Sequence, residues 1–172
     1  DIQDARERYL AIMHGHGAMA PAEILVSVGE TQRELLAIFA SATEDDASRQ
    51  PAAGEWGLRD LALHTAFTER LIAKLIHHLA RGETVPPEHL AGAGIGMMPA
   101  DDGRTYADAL AELRRMNDGV LKAVEMLPPE PNATMKLPHP FFGPLNCLEW
   151  AGFQRVHDLD HIQHARKIIA AL

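Results

Sequence analysis

The stretch from residue 146 to residue 171 reads NCLEWAGFQRVHDLDHIQHARKIIAA. Trp150, Phe153, His157, His161, His164 and Ile168 recur at steps of three and four, so a helix would carry them as one inward stripe. Asn146 and Glu149 form a start signal of the capping-box kind, in which each side chain can serve the other residue's backbone amide. Half of this stripe is histidine, and that sets the question for the rest of the chain.

Three other long segments repeat the helical period. The first runs from about Pro21 to Ala42, with Pro21 suited to a first turn and Ile24, Val28, Leu35 and Phe39 facing inward. The second runs from about Leu58 to Arg81 behind Gly57, with the stripe Leu61, His64, Thr68, Leu71, Leu75 and Leu79; Gly82 and Pro86-Pro87 stop it. The third spans about Tyr106 to Leu127, with Tyr106, Leu110, Leu113, Val120 and Val124 inward, and is closed by Pro128-Pro129. No segment sustains a two-residue alternation. Four amphipathic helices of about 20 residues predict an all-α four-helix bundle.

The segments between them are uneven. Glu44-Asp45-Asp46 and Pro51-Ala52-Ala53-Gly54 read as breakers in a loop. Residues 92–103 hold four glycines, two methionines and a proline, a long connection between the second and third bundle helices. Antiparallel neighbours need only a short turn, so an extended crossover or a flap over one end of the bundle is expected. Residues 1–20 read as an N-terminal extension with a weak helix over Ile2 to Met13, ended by His14-Gly15-His16-Gly17; residues 21–172 form the bundle.

At 172 residues the chain suits one domain large enough to bury a core without disulfides. Sixteen Lys and Arg against 24 Asp and Glu give a net charge of -8, which argues against a general nucleic-acid binder and a polybasic membrane anchor. No apolar run approaches the roughly 18 residues that span a bilayer. The lone Cys147 and the absence of a signal peptide fit a reducing, cytoplasmic setting, although a start at Asp1 leaves room for an upstream segment.

Ten histidines are the compositional anomaly. His157 and His161, four residues apart, present two imidazoles from one helix face, and His64 lies on the apolar stripe of another helix. Three neutral nitrogens and one open position make the layout of a catalytic metal site, whereas structural sites are closed by four ligands. The competing reading is a set of core histidines satisfied by hydrogen bonds. Asp60, one turn before His64, is either an acceptor for its ring N–H or a helix-start acid. Asp158 and Asp160 point sideways from the pair. Cys147 reads as a small buried residue, and His14, His16, His77, His78 and His89 as solvent-facing. Phe141 and Phe142 read as packing residues beside His139. The Gly92–Gly96 run lacks the strand-then-helix setting of a nucleotide loop.

Residues 55–64, EWGLRDLALH, together with His139-Pro140-Phe141-Phe142-Gly143-Pro144-Leu145, Glu149-Trp150 and His157-Asp158-Leu159-Asp160-His161, resemble the DinB-like superfamily of bacterial four-helix bundle proteins. The resemblance covers roughly residues 21 to 171. It implies a divalent metal, nickel or zinc, held by His64, His157 and His161. Two departures stand out: Gly57 where a capping Ser or Thr is frequent, and His164 where Gln is frequent. His164 is then a donor behind the ligands, an acid or base, or an alternative ligand. The resemblance further implies a metal-dependent enzyme with a small-molecule substrate, performing S-transfer with a low-molecular-weight thiol or metal-assisted hydrolysis, and a homodimer. The alternatives are a non-catalytic metal or ligand binder of stress or sensory type, and a purely structural dimer.

Overall fold

The computed structural model describes residues 1–94, 96–98 and 101–172. Positions 95, 99 and 100 of the long connection, and with them part of the Gly92–Gly96 run, lie outside the described residues. Among the described residues six α-helices appear: α1 (Ile2–His16), α2 (Pro21–Ala40), α3 (Glu44–Ser48), α4 (Leu58–Ala80), α5 (Tyr106–Glu125) and α6 (Cys147–Ala171). A 3-10 turn covers Pro87–Leu90, and β1 (Leu137–His139) pairs antiparallel with β2 (Gly143–Leu145) in the register Leu137 to Leu145. No helix among the described residues is long and apolar enough to cross a membrane.

The starts of the helices follow local chemistry. Asn146 accepts from the amides of Leu148 and Glu149, while Glu149 takes the Asn146 amide at 3.0 Å. Asp60 takes the Gly57 amide at 3.1 Å, so the missing Ser or Thr at position 57 is covered from the third helical position. Thr43 and Asp46 cap each other's amides, which turns the acidic run read as a breaker into the one-turn helix α3. The β1–β2 ribbon also departs from the purely helical expectation; strands of three residues are too short to show a two-residue period.

Helices α2, α4, α5 and α6 form the bundle, with α1 laid against α6. The start of α2 (Ile24, Val28) shares a core cluster with the ends of α4 (Ile72, Ile76, Leu79) and α5 (Val120, Val124) and the start of α6 (Trp150, Phe153). The other halves meet in a second cluster around Leu35, Phe39, Leu58, Leu61, Leu113 and Ile162. Helices α2 and α6 therefore run one way, and α4 and α5 the other. Since α4 and α5 are parallel neighbours, their connection must return the length of the bundle, which accounts for its size.

A buried polar layer separates the two clusters. Gln154 donates from one amide nitrogen to Glu69 (2.7 Å) and to Asp158 (2.8 Å), and Thr31 donates to the other Asp158 oxygen at 3.0 Å. With its amide nitrogen facing Glu69, Asn117 donates to both carboxylate oxygens at 2.6 and 2.8 Å. Gln32 reaches the Asn117 carbonyl at 3.3 Å. Burial raises the pKa of both acids, and for Glu69 the Asp158 charge adds to the rise.

The N-terminal helix is longer than its weak pattern suggested, and one histidine expected in solvent is buried. His16 donates from Nδ1 to the Ile12 carbonyl (2.8 Å) and accepts from Ser27 at Nε2 (2.9 Å). With both nitrogens satisfied, the ring can leave water, and Met13 is buried beside it. The ring rests on Gly152 of α6, where a Cβ would lie 2.9 Å from His16 Cγ. His14 stays exposed and meets Glu149 at 3.3 Å.

Two outcomes follow for stability. Gly152→Ala forces α1 off α6 or tilts the His16 ring, and should cost about 1–3 kcal/mol in urea unfolding at neutral pH. Unfolded Glu69 releases its proton near 4.5, whereas the folded chain holds it well above that value, so folding takes up a proton between the two and stability declines as pH rises. Glu69→Gln removes that decline. Its unfolding free energy should fall less than that of the unaltered chain between about pH 5 and pH 8, by at least about 1.4 kcal/mol, the worth of one pKa unit.

Candidate metal centre

Helix α4 delivers His64 and helix α6 delivers His157 and His161 to one point. His157 Nε2 lies 3.1 Å from His64 Nε2 and 2.9 Å from His161 Nε2, and the ligand atoms of all three fall within 4.8 Å of one another. His64 and His161 are buried and His157 half-buried. Nitrogens about 2.0–2.1 Å from one ion stand about 2.8–3.4 Å apart for right-angled to tetrahedral ligation. The spacing here matches that range.

The protonation states suit ligation. His64 donates from Nδ1 to the carbonyl of Met97 at 2.5 Å, which leaves its Nε2 as a lone pair. Burial lowers the pKa of His64 against the opposing effect of that carbonyl. Burial also lowers His157 well below the ordinary range and His161 to about 3, and neighbouring imidazoles add to both. Three neutral rings cannot satisfy each other here, because His157 Nε2 has one site and two nitrogen neighbours. Among the described residues Nδ1 of His157 and Nδ1 of His161 meet no hydrogen-bond partner, and the Asp160 carboxylate is 3.7 Å from the latter. A cation at the convergence point would satisfy all three Nε2 lone pairs at once, so the donor set fits a divalent metal.

The surroundings separate the other candidates. Asp60 is spent on the Gly57 amide, and the acceptor for His64 is the Met97 carbonyl, a backbone group from the long connection that side-chain spacing could not have revealed. Met97 of that connection thus lies at the site and lines the cavity beside it. Asp158 points to the polar layer and Asp160 to solvent. His164 is not part of the converging trio: its ring centroid is 6.1 Å from that of His161, and it stacks on Trp56 at 6.3 Å and 15°. Trp56 in turn lies 4.8 Å from the His64 ring. Cys147 is buried, its thiol 3.4 Å from the Asn132 carbonyl and its pKa raised by burial. At the end of α4, His77, His78 and Glu83 form a looser, mostly exposed group in which His78 already meets Glu83 at 3.0 Å.

One cavity is lined by the trio, and a second lies beside it. The larger, about 810 Å³, reaches from His64, His157 and His161 to Trp150, Phe153 and the β1–β2 ribbon. The smaller, about 560 Å³, is lined by Glu55, Gln163, His164 and Lys167, and shares Trp56 and Asp160 with the first. His139, read from the sequence only as a neighbour of Phe141 and Phe142, lines the larger one.

With this geometry established, comparisons become informative. No curated protein matches the sequence. Among solved structures, TT2238, a four-helix bundle protein, superposes with a TM-score of 0.58 at 25% identity over 84% of this chain and 99% of its own. A mycothiol-dependent maleylpyruvate isomerase superposes with a TM-score of 0.66 at 11% identity; the match covers 86% of this chain and 61% of the isomerase, a likeness of fold. Its H52A mutant gives the same TM-score at 10% identity. The sequence model of the DinB superfamily matches residues 28–165, which take in α4 and α5, most of α2 and α6 and the three converging histidines, and the chain belongs to that superfamily.

Proposed function

We propose that the protein is a divalent-metal-dependent enzyme that activates a low-molecular-weight thiol for transfer to an electrophilic small molecule. The observation that carries this reading is the convergence of three imidazole Nε2 atoms, with His157 Nε2 at 2.9 and 3.1 Å from the other two, at the wall of a cavity of about 810 Å³. His64, His157 and His161 would hold the ion, nickel or zinc. Such an ion supplies Lewis acidity and lowers the pKa of a thiol or water that meets it at an open position. The family membership and the fold shared with a mycothiol-dependent isomerase support a thiol over water. So does the apolar large cavity, which is poorly suited to delivering water.

The chain's own groups prepare the site. The Met97 carbonyl holds His64 in the tautomer that exposes Nε2, and burial keeps all three rings neutral at physiological pH. The smaller cavity, with Glu55, Gln163 and Lys167 on its wall, suits the polar body of a thiol. His164, stacked on Trp56, positions that side chain beside the His64 ring and does not join the metal.

Untagged protein should purify with nickel or zinc near one ion per chain. His64→Ala, His157→Ala and His161→Ala should each weaken metal binding on the order of 100-fold or more, measured by competition with a chromogenic chelator. Full metal content in any of these variants would exclude that residue as a ligand. His164→Ala should keep the metal and lose less than about tenfold in turnover, whereas an acid–base role would cost about 100-fold or more. Thiols and electrophiles assayed with and without chelator complete the test. Turnover that requires both thiol and metal supports transfer, and metal retention without turnover on any pair favours the non-catalytic binder.

A further inference from the structure

The large cavity is shaped as much by the charges it lacks as by the metal trio at one end. Leu71, Leu75, Trp150, Phe153, Phe142 and Val156 are among the apolar residues of its wall. Among the described residues that line it there is no lysine and no arginine, and the one charged side chain is the acidic Asp160. The three undescribed positions, Ile95, Pro99 and Ala100, carry no charge either. Arg6 is held outside, 5.9 Å over the ring of Phe141, with its Nε bonded to the Phe141 carbonyl at 2.9 Å. Away from the trio, or with no ion held there, a carboxylate entering this space would give up its hydration without a cationic partner, at a cost of several kcal/mol.

The few polar groups are equally selective. Thr68 is committed to the His64 carbonyl at 3.0 Å. His139 accepts at Nδ1 from the amides of Phe141 (3.0 Å) and Phe142 (3.3 Å), so its proton sits on Nε2. Burial keeps that ring neutral, its pKa pushed down to about 4. Among the described residues Nε2 has no protein acceptor, and the ring is braced by Phe153 at 4.6 Å, Phe142 at 5.0 Å and Trp150 at 5.7 Å. It is a fixed, uncharged donor on an aromatic wall. Tyr9, contributed by α1, is the other polar group away from the trio.

We propose that this cavity binds an uncharged, largely apolar molecule with a flat body and a hydrogen-bond-accepting oxygen directed at His139, and that carboxylates of the same shape are excluded. Naming this molecule the electrophile rests on the metal-dependent reading above; its binding does not. The flat body follows from the ring edges and faces offered by Phe142, Trp150 and Phe153, which favour offset and edge-on aromatic contacts.

Calorimetric titration of metal-free protein with 2-acetylnaphthalene, 2-ethylnaphthalene and 2-naphthoate tests this. The ketone should bind at least about tenfold more tightly than the carboxylate, a difference of about 1.4 kcal/mol. Leu71→Arg, which places a cation on the half-buried part of the wall, should reverse that order. His139→Phe should erase the preference for the ketone over the hydrocarbon; if it unfolds, His139→Gln, which retains a donor and an acceptor, should keep the preference. Equal or tighter binding of naphthoate by the unaltered chain would overturn the proposal, as would failure of both neutral probes to bind. Metal content of the unaltered chain separates the two readings: failure to retain nickel or zinc would overturn the metal-dependent reading, while the ketone preference of the metal-free protein stands or falls by itself.

Discussion

The double hydrogen bond from Gln154 to Glu69 and Asp158 is the contact on which the rest of the bundle depends. Two carboxyls with no room for water are tolerable only if every oxygen meets a donor, and those donors come from α2, α5 and α6 together. Apolar surfaces can slide past one another by a helical turn at modest cost. A layer that must place Thr31, Glu69, Asn117, Gln154 and Asp158 at one level cannot. The apolar clusters on either side supply the burial, and the layer sets the register in which they meet.

That register is also what brings the three histidines of the candidate metal centre together. His157 is the residue before Asp158, and His64 lies five residues before Glu69 on α4. A shift of α4 against α6 by one turn would leave one imidazole facing leucines and two facing each other. The structural acids turn inward toward the polar layer while the adjacent histidines turn toward the cavity. The same stretch of α6 thus serves two interiors of opposite polarity, one made for hydrogen bonds and one for an apolar guest.

Much of this was legible in the sequence, because a period of three and four residues reports directly which side chains share a face. His64, His157 and His161 were found that way, and the histidine pair on α6 required only helix geometry. The long connection announced itself by length and glycine content, and the parallel run of α4 and α5 explains both. Other features left no periodic trace. Met97 acts through its carbonyl, which every residue possesses, so no side-chain pattern marks it. Glu69 and Asp158 look like ordinary surface acids until the partners from α2 and α5 are known. His16 sat in a His-Gly-His-Gly run that reads as a helix end, and only the bare surface of Gly152, distant in sequence, gives its ring a seat. Thr43 and Asp46 were the exception: the capping pair was visible, but the surrounding charges concealed it.

The Met97 carbonyl has a further consequence. It lies at the site and also decides where the proton on His64 resides. Were that bond lost, either ring nitrogen of His64 could carry the hydrogen, and one of the two forms would turn a donor toward the point where the three rings converge. The same backbone group lines the cavity and sets the face that His64 would offer an ion, so whatever displaced the Met97 carbonyl would alter the wall and the donor set together.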